Sequence, residues 1–176
     1  TLEFLAEHGS IVQAVVWFGS LATAGALRRA SDAGTGISIE GVPRRPEYRS
    51  TVGQFLLTPH VAIERAELLP QALGPLDARE LAPGLGLLSC DEVPETPWFS
   101  CFRVDAVMSP RLSKVKAWLR AHDGGQVVVR TRDQAIDADA WTRSLQGSGA
   151  TEFVLFGLRL GKKIVVLATQ RRSSAP

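Results

Sequence analysis

Apolar and polar positions along this chain fall into strand-like and helix-like rhythms separated by Gly/Pro breaks. Residues 11–18, Ile-Val-Gln-Ala-Val-Val-Trp-Phe, are rich in β-branched and aromatic side chains and predict a strand that ends at Gly19. Residues 21–40 predict a short hairpin, with Ile37 and Ile39 alternating after a bend at Asp32-Ala33-Gly34-Thr35-Gly36. Residues 41–51 hold Pro43, Arg44, Arg45, Pro46 and Arg49 and predict a linker. A helix is expected from Thr58 as N-cap and Pro59 at the first helical position, with Ala62, Ile63, Ala66 and Leu69 as its apolar stripe. Pro70 should strain or end it. Residues 74–84 read as loop with one helical turn at 77–81. Residues 85–90 read as a short buried strand, and 98–108 as a long one.

Ser109 and Pro110 repeat the cap-plus-proline signal. The helix that follows should reach Ala121, bury Leu112, Val115, Trp118 and Leu119, and end at Gly124 and Gly125. A strand at 126–132, a helix at 137–145 capped by Asp137, and a hairpin of 151–160 and 162–169 about Gly161 complete the pattern. The tail 170–176 is polar and expected to fray. Strands joined by hairpins and interrupted by helices indicate an α+β fold: a mixed or antiparallel sheet with helices packed on it, preceded by a short β-hairpin appendage. The boundaries drawn are 1–45, 48–170 and a flexible tail at 171–176.

With 176 residues, 45% of them hydrophobic, the chain can bury a real core. It begins at Thr1 and its one methionine is Met108, so a fragment or processed chain is expected. No run approaches the roughly 18 apolar residues that span a bilayer, and no signal-peptide pattern precedes the first strand. A cytoplasmic protein without a membrane partner is expected. Cys90 and Cys101 sit in apolar runs, make no metal pattern, and read as buried free thiols.

The net charge of +2 hides an asymmetry: residues 1–98 carry 7 Lys/Arg against 12 Asp/Glu, and residues 99–176 carry 13 against 6. A basic half suggests a polyanionic partner. Arginines outnumber lysines 16 to 4, which suits bidentate phosphate contacts and base stacking. A GC-rich genome would also favour Arg, Ala and Gly, and the absence of Asn fits that bias.

The sequence holds no catalytic constellation and no metal-ligand spacing. His8, His60 and His122 have no partner at metal spacing and read as surface or capping residues. Asp32, Gly34 and Gly36 resemble the D-x-G-x-G loop that seats S-adenosylmethionine. Such a loop needs a buried strand before it and a helix after it. Leu27-Arg28-Arg29-Ala30-Ser31 before the motif and Pro43 soon after it fit a hairpin turn better.

The candidate nucleic-acid-binding residues are Arg111, Lys114, Lys116 and Arg120 on the second predicted helix, Arg130 and Arg132 on the strand after it, and Lys162 and Lys163 at the last hairpin. On the helix, Lys116 and Arg120 share a face while Lys114 flanks the opposite edge of the apolar arc. Arg130 and Arg132, two apart on a strand, project from one face. Arg171 and Arg172 lie in the tail. Ordinary solvation of these side chains is the alternative.

The run Phe55-Leu56-Leu57-Thr58-Pro59-His60-Val61-Ala62-Ile63-Glu64-Arg65-Ala66 resembles the start of the THUMP-like C-terminal domain of bacterial class I S-adenosylmethionine-dependent methyltransferases. Pro59, Ala62, Arg65 and Ala66 match; Thr58 replaces the family's usual acid, and His60 its usual small polar residue. Asp91-Glu92 followed by Thr96, Pro97, Phe99, Phe102 and Val104, the basic strand at 129–132 with the helix opened by Asp137, and the final hairpin also fit. The resemblance covers about residues 48–170, and residues 1–45 resemble the last strands of the preceding methyltransferase domain. It implies an accessory RNA-binding domain lacking the cofactor site, an upstream methyltransferase domain in cis, and S-adenosylmethionine as the parent enzyme's cofactor. Two other functions stay open: a self-sufficient methyltransferase using the Asp32–Gly36 motif, and a protein-interaction module without nucleic acid.

Overall fold

A computed structural model describes residues 1–172. Two sheets organise the chain. The first has the order β2-β1-β3-β4. β1 (Leu2–Glu7) and β2 (Ser10–Val16) form an antiparallel hairpin whose turn, His8-Gly9, has both residues at positive φ. β3 (Arg28–Asp32) runs parallel to β1 and returns antiparallel as β4 (Ile37–Gly41). The predicted hairpin at 21–40 is therefore one half of a four-stranded appendage. Glu3 is buried among these strands; Trp17 Nε1 donates to it at 2.6 Å and Ser31 Oγ at 2.5 Å, with Arg29 at 3.9 Å. These partners compensate a carboxylate withdrawn from water.

The second sheet has seven strands in the order β6-β7-β5-β8-β11-β10-β9. They are β5 (Phe55–Pro59), β6 (Arg79–Glu80), β7 (Leu88–Cys90), β8 (Phe99–Met108), β9 (Gly124–Thr131), β10 (Thr151–Leu160) and β11 (Lys163–Arg171). Only β9 and β10 pair in parallel within this sheet. Gly161, at φ 59°, supplies the tight turn between β10 and β11.

Among the described residues there are four α-helices: α1 (Val61–Ala66) and α2 (Leu69–Leu73), packed between the small sheet and the large one, and α3 (Leu112–Ala121) and α4 (Ala138–Leu145) on the large sheet. The first predicted helix differs from its expectation. Thr58 and Pro59 remain in β5, opposite Ser100 and Phe99, because the ladder with β8 continues through them. His60 caps α1 instead, its Nδ1 accepting the Ala62 N–H at 3.3 Å. Glu67, at φ 56°, ends the helix, and Pro70 stands in the first turn of α2 rather than terminating α1. The expected helical turn at 77–81 is β6, held by pairing with β7.

α3 ends at His122, and Asp123 takes the left-handed position at φ 53°. Gly124 and Gly125 already belong to β9, so their role lies in packing rather than capping. Leu112 is 37% exposed and stays outside the core, whereas Val115 and Leu119 are buried. Asp137 caps α4 as expected, accepting the Ala140 N–H at 2.9 Å. Gln170 and Arg171 extend β11 opposite Arg103 and Phe102, so the expected fraying does not include them; residues 173–176 lie outside the described residues.

Strand alternation sends side chains to two faces. On one face, α1 and α2 join Phe55, Leu57, Leu88, Phe99 and Cys101, and the appended sheet adds Ala6 and Ala30 to the same core. Farther along that face, α3 and α4 bury Val127, Val129, Phe153, Leu155, Val166 and Ala168. The other face carries Leu56, Phe102, Phe156, Leu158 and Leu167, partly covered by Leu81, Leu85 and Leu87. A bulge at Asp105 preserves this division between the two halves of β8. No helix among the described residues is long and apolar enough to cross a membrane.

Candidate nucleic-acid interface

The eight sequence-predicted cations do not lie on one surface. Arg111 precedes α3, and Lys114, Lys116 and Arg120 ride on it, all on the helix-covered side of the sheet. Lys116 and Arg120 border a depression of about 460 Å3, together with Asp123, Gln146, Ser148 and Gly149. Arg130 leaves β9 on the opposite side, as Val127 and Val129 face α3 and α4; Arg132 lies one residue past the strand, which ends at Thr131 rather than at the expected 132. Lys162 and Lys163 stand exposed at the β10–β11 turn, beyond Gly157, whose neighbour on β9 is Thr131.

Arg130 is the most constrained of them. Its guanidinium lies 5.6 Å from the centre of the Phe102 ring and 5.8 Å from that of Phe156, and the two rings meet edge to face at 5.2 Å. Both phenylalanines are buried, while Arg130 remains exposed. Cation–π attraction and packing hold such a side chain against the sheet. Burial, followed by the like charges of Arg171 and Arg132, pushes the Arg130 guanidinium below its ordinary pKa. Arg171, at the end of β11 opposite Phe102, is thus a third member of the group that strand spacing alone did not assemble.

Among the described residues, six salt bridges form, and only the one between Arg103 and Asp105 uses a cation of the basic half. The remaining 12 Lys/Arg of residues 99–172 have no carboxylate within ion-pair distance. Their charge is left to solvent or to an external anion.

The Asp32 to Gly36 motif joins β3 to β4, two antiparallel strands, and no helix follows it. The Gly36 N–H donates to the Asp32 carbonyl at 2.8 Å, and Gly36 sits at φ 72°. The Asp32 carboxylate accepts Thr35 N–H at 3.1 Å and Thr35 Oγ1 at 2.7 Å, and faces His60 Nε2 at 3.7 Å. Both hydrogen bonds from Thr35 reach the same Asp32 oxygen, Oδ2, and serve the turn itself.

The Thr35 hydroxyl leads the contacts that hold the Asp32 carboxyl below its ordinary 3.8, against the opposing effect of burial. A carboxylate with a depressed folded pKa stabilises the protein above its unfolded pKa, and that stability is lost as pH falls through the folded value. Asp32→Asn should therefore lower the urea midpoint at pH 7 relative to wild type. The difference should shrink as both proteins are brought below pH 3.8; a constant difference across that window would contradict the assignment.

The histidines are accounted for locally. His60 is the α1 cap, His122 stacks on Trp118 at 4.0 Å with Nδ1 2.8 Å from the Trp118 carbonyl, and His8 forms a turn. Cys90 and Cys101 are buried and free, and burial pushes the Cys90 thiol up to about 11. Among the described residues, no group of three or more His, Cys, Asp or Glu is arranged to hold a metal ion.

The architecture defines the class first: an α+β domain with a mixed, mainly antiparallel sheet and a small N-terminal sheet. Within it, residues 99–170, which run from β8 nearly to the end of β11, match the family described as THUMP domain-like. Two curated relatives, from the CDC 1551 / Oshkosh and ATCC 25618 / H37Rv strains of Mycobacterium tuberculosis, are each described as an uncharacterized S-adenosylmethionine-dependent methyltransferase. Each is 28% identical over 161 residues, which cover 91% of this chain and 44% of the relative. A crystal structure from Porphyromonas gingivalis W83, described as that of a "putative methyltransferase", superposes with a TM-score of 0.74 at 16% identity, over 98% of this chain and 45% of that one. This likeness is one of fold. The chain spans less than half the length of the curated relatives it matches.

Proposed function

We propose that this chain is the accessory, RNA-holding part of a class I S-adenosylmethionine-dependent methyltransferase. In this reading residues 1–45 are the last strands of a methyltransferase domain lying in cis. Residues 48–170 are the THUMP-like domain, and residues 171–176 are a tail whose first residue also closes β11. Methyl transfer from S-adenosylmethionine belongs to the parent enzyme, upstream of this chain. We place the protein in the cytoplasm, where Cys90 and Cys101 stay reduced.

The observation that carries the reading is the set of 12 Lys/Arg that have no ion partner among the described residues of the basic half, most of them in the segment that matches the THUMP domain-like family. Such a field attracts a polyanion at long range, and phosphate contacts position a nucleic acid without doing chemistry on it. Binding of the 176-residue chain to a labelled RNA at low salt, with calorimetry against S-adenosylmethionine run in parallel, tests it. RNA binding without cofactor heat is expected. Cofactor binding at micromolar affinity would favour the self-sufficient enzyme, and absence of RNA binding would favour a protein-interaction module.

A further inference from the structure

The cations of the basic half are distributed over both sides of the large sheet, and one side combines charge with a feature that solvation alone does not require. Arg130 rests over the rings of Phe102 and Phe156, which come from β8 and β10 and meet across the intervening β11. Its other side is exposed. Arg132 lies one residue beyond the end of β9, its N–H donating to the Gly157 carbonyl at 2.9 Å. Arg171 reaches in from β11, and its charge and that of Arg132 both act on Arg130. None of the three has a carboxylate at ion-pair distance among the described residues; Glu64, whose carboxyl burial pushes up, is close enough for the Arg132 charge to oppose that rise. Val128 and Val107, 40% and 53% exposed on the same face, add apolar surface beside the arginines.

A planar guanidinium held against aromatic rings offers a platform for an unstacked base, and flanking arginines suit the phosphates on either side. An ordered duplex keeps its bases stacked and cannot use that platform. We propose that the open face of the sheet at β9, formed by Arg130, Arg132 and Arg171 over Phe102 and Phe156, binds single-stranded RNA, with a base on Arg130 and phosphates on Arg132 and Arg171. This rests on the RNA-holding reading given above and adds to it the strand state of the RNA and the surface used. Helix α3, whose cations are spread around its outer side, is then a minor contributor.

The test uses the full chain and fluorescence anisotropy with a labelled single-stranded oligouridylate, a duplex of equal length, and polyglutamate as a plain polyanion. Three variants are compared after their circular dichroism spectra are matched to wild type. They are Arg132→Gln with Arg171→Gln, Arg130→Lys, and the α3 set Lys114→Gln, Lys116→Gln and Arg120→Gln. The Arg132/Arg171 variant should lose about tenfold in affinity at low salt, and its log–log salt slope should flatten by about 1.4, the value for two phosphate contacts on a single strand. Arg130→Lys should weaken single-strand binding while leaving the slope unchanged, because the charge stays and the plane is lost. The α3 variant, compared at about 0.15 M salt where the Debye length is about 8 Å, should bind within about twofold of wild type, as a charge remote from the phosphates is then screened.

Loss of affinity confined to the α3 variant would overturn the assignment of the surface. Equal binding of single strand, duplex and polyglutamate would overturn base stacking on Arg130. Failure of the wild-type chain to bind any RNA at low salt would instead sink the RNA-holding reading itself.

Discussion

Gly125→Ala should unfold this protein or destabilise it by about 3 kcal/mol or more, the upper part of the range for overpacking a closed interior. A methyl group at Gly125 would fall on the Gly149 carbonyl oxygen, one at Gly149 on the Asp123 carbonyl, and one at Gly147 on the Gly124 carbonyl. The two segments are laced by Gly147 N–H to the Gly125 carbonyl at 2.9 Å, Gly149 N–H to the Gly124 carbonyl at 3.2 Å, and Thr151 N–H to the Asp123 carbonyl at 3.0 Å. The start of β9 thus packs backbone to backbone against the approach to β10, and neither side has a flexible atom that can yield. Gly34→Ala is the contrasting case, since its methyl would meet only the Asp32 carboxylate at an ordinary 3.7 Å and its φ is unexceptional. Urea midpoints should separate the two variants clearly; equal midpoints would refute the close approach.

Phe156→Ala should cost about 3–5 kcal/mol, as for other fully buried aromatics truncated to alanine. Phe156 is 1% exposed, contacts Phe102 edge to face, and sits beneath Arg130. Its loss removes a cluster centre and leaves the Arg130 guanidinium without half of its aromatic floor. Denaturant titration at neutral pH should show the loss directly. A cost below about 1 kcal/mol would mean that the face collapses around the missing ring, contrary to the packing described.

The fold was legible where structure follows from local chemistry. The Asp137 cap, the Gly161 hairpin, the turn at Asp32 to Gly36 and the long strand before α3 all carry their reasons within a few residues. What escaped depends on pairing between distant segments. β1, Leu-Glu-Phe-Leu-Ala-Glu, is composed largely of good helix formers and becomes a strand because β2 and β3 flank it. β6 is two residues long and exists through β7 and the Tyr48 bridge. Thr58-Pro59 has the form of a helix start, yet the ladder to β8 keeps it extended until His60.

The candidate site divides in the same way. The face that Arg130 takes follows from alternation along β9, whereas Arg132, expected two positions on along the same strand, falls just past its end. The separation of that face from α3 follows from where Val127 and Val129 pack, and the approach of Arg171 follows from the register of β11 against β8. Neither is written in the spacing of the charges. The role of Gly124 and Gly125 was likewise hidden, since a helix stop and a close backbone contact call for the same residue.

The most direct measurement of the central claim is the affinity of the wild-type chain for single-stranded RNA as a function of monovalent salt. If unpaired arginines and lysines hold the phosphates, log affinity should fall linearly with log salt at a slope of about −2 or steeper, corresponding to three or more contacts. A slope near zero, or affinity that survives high salt unchanged, would contradict it.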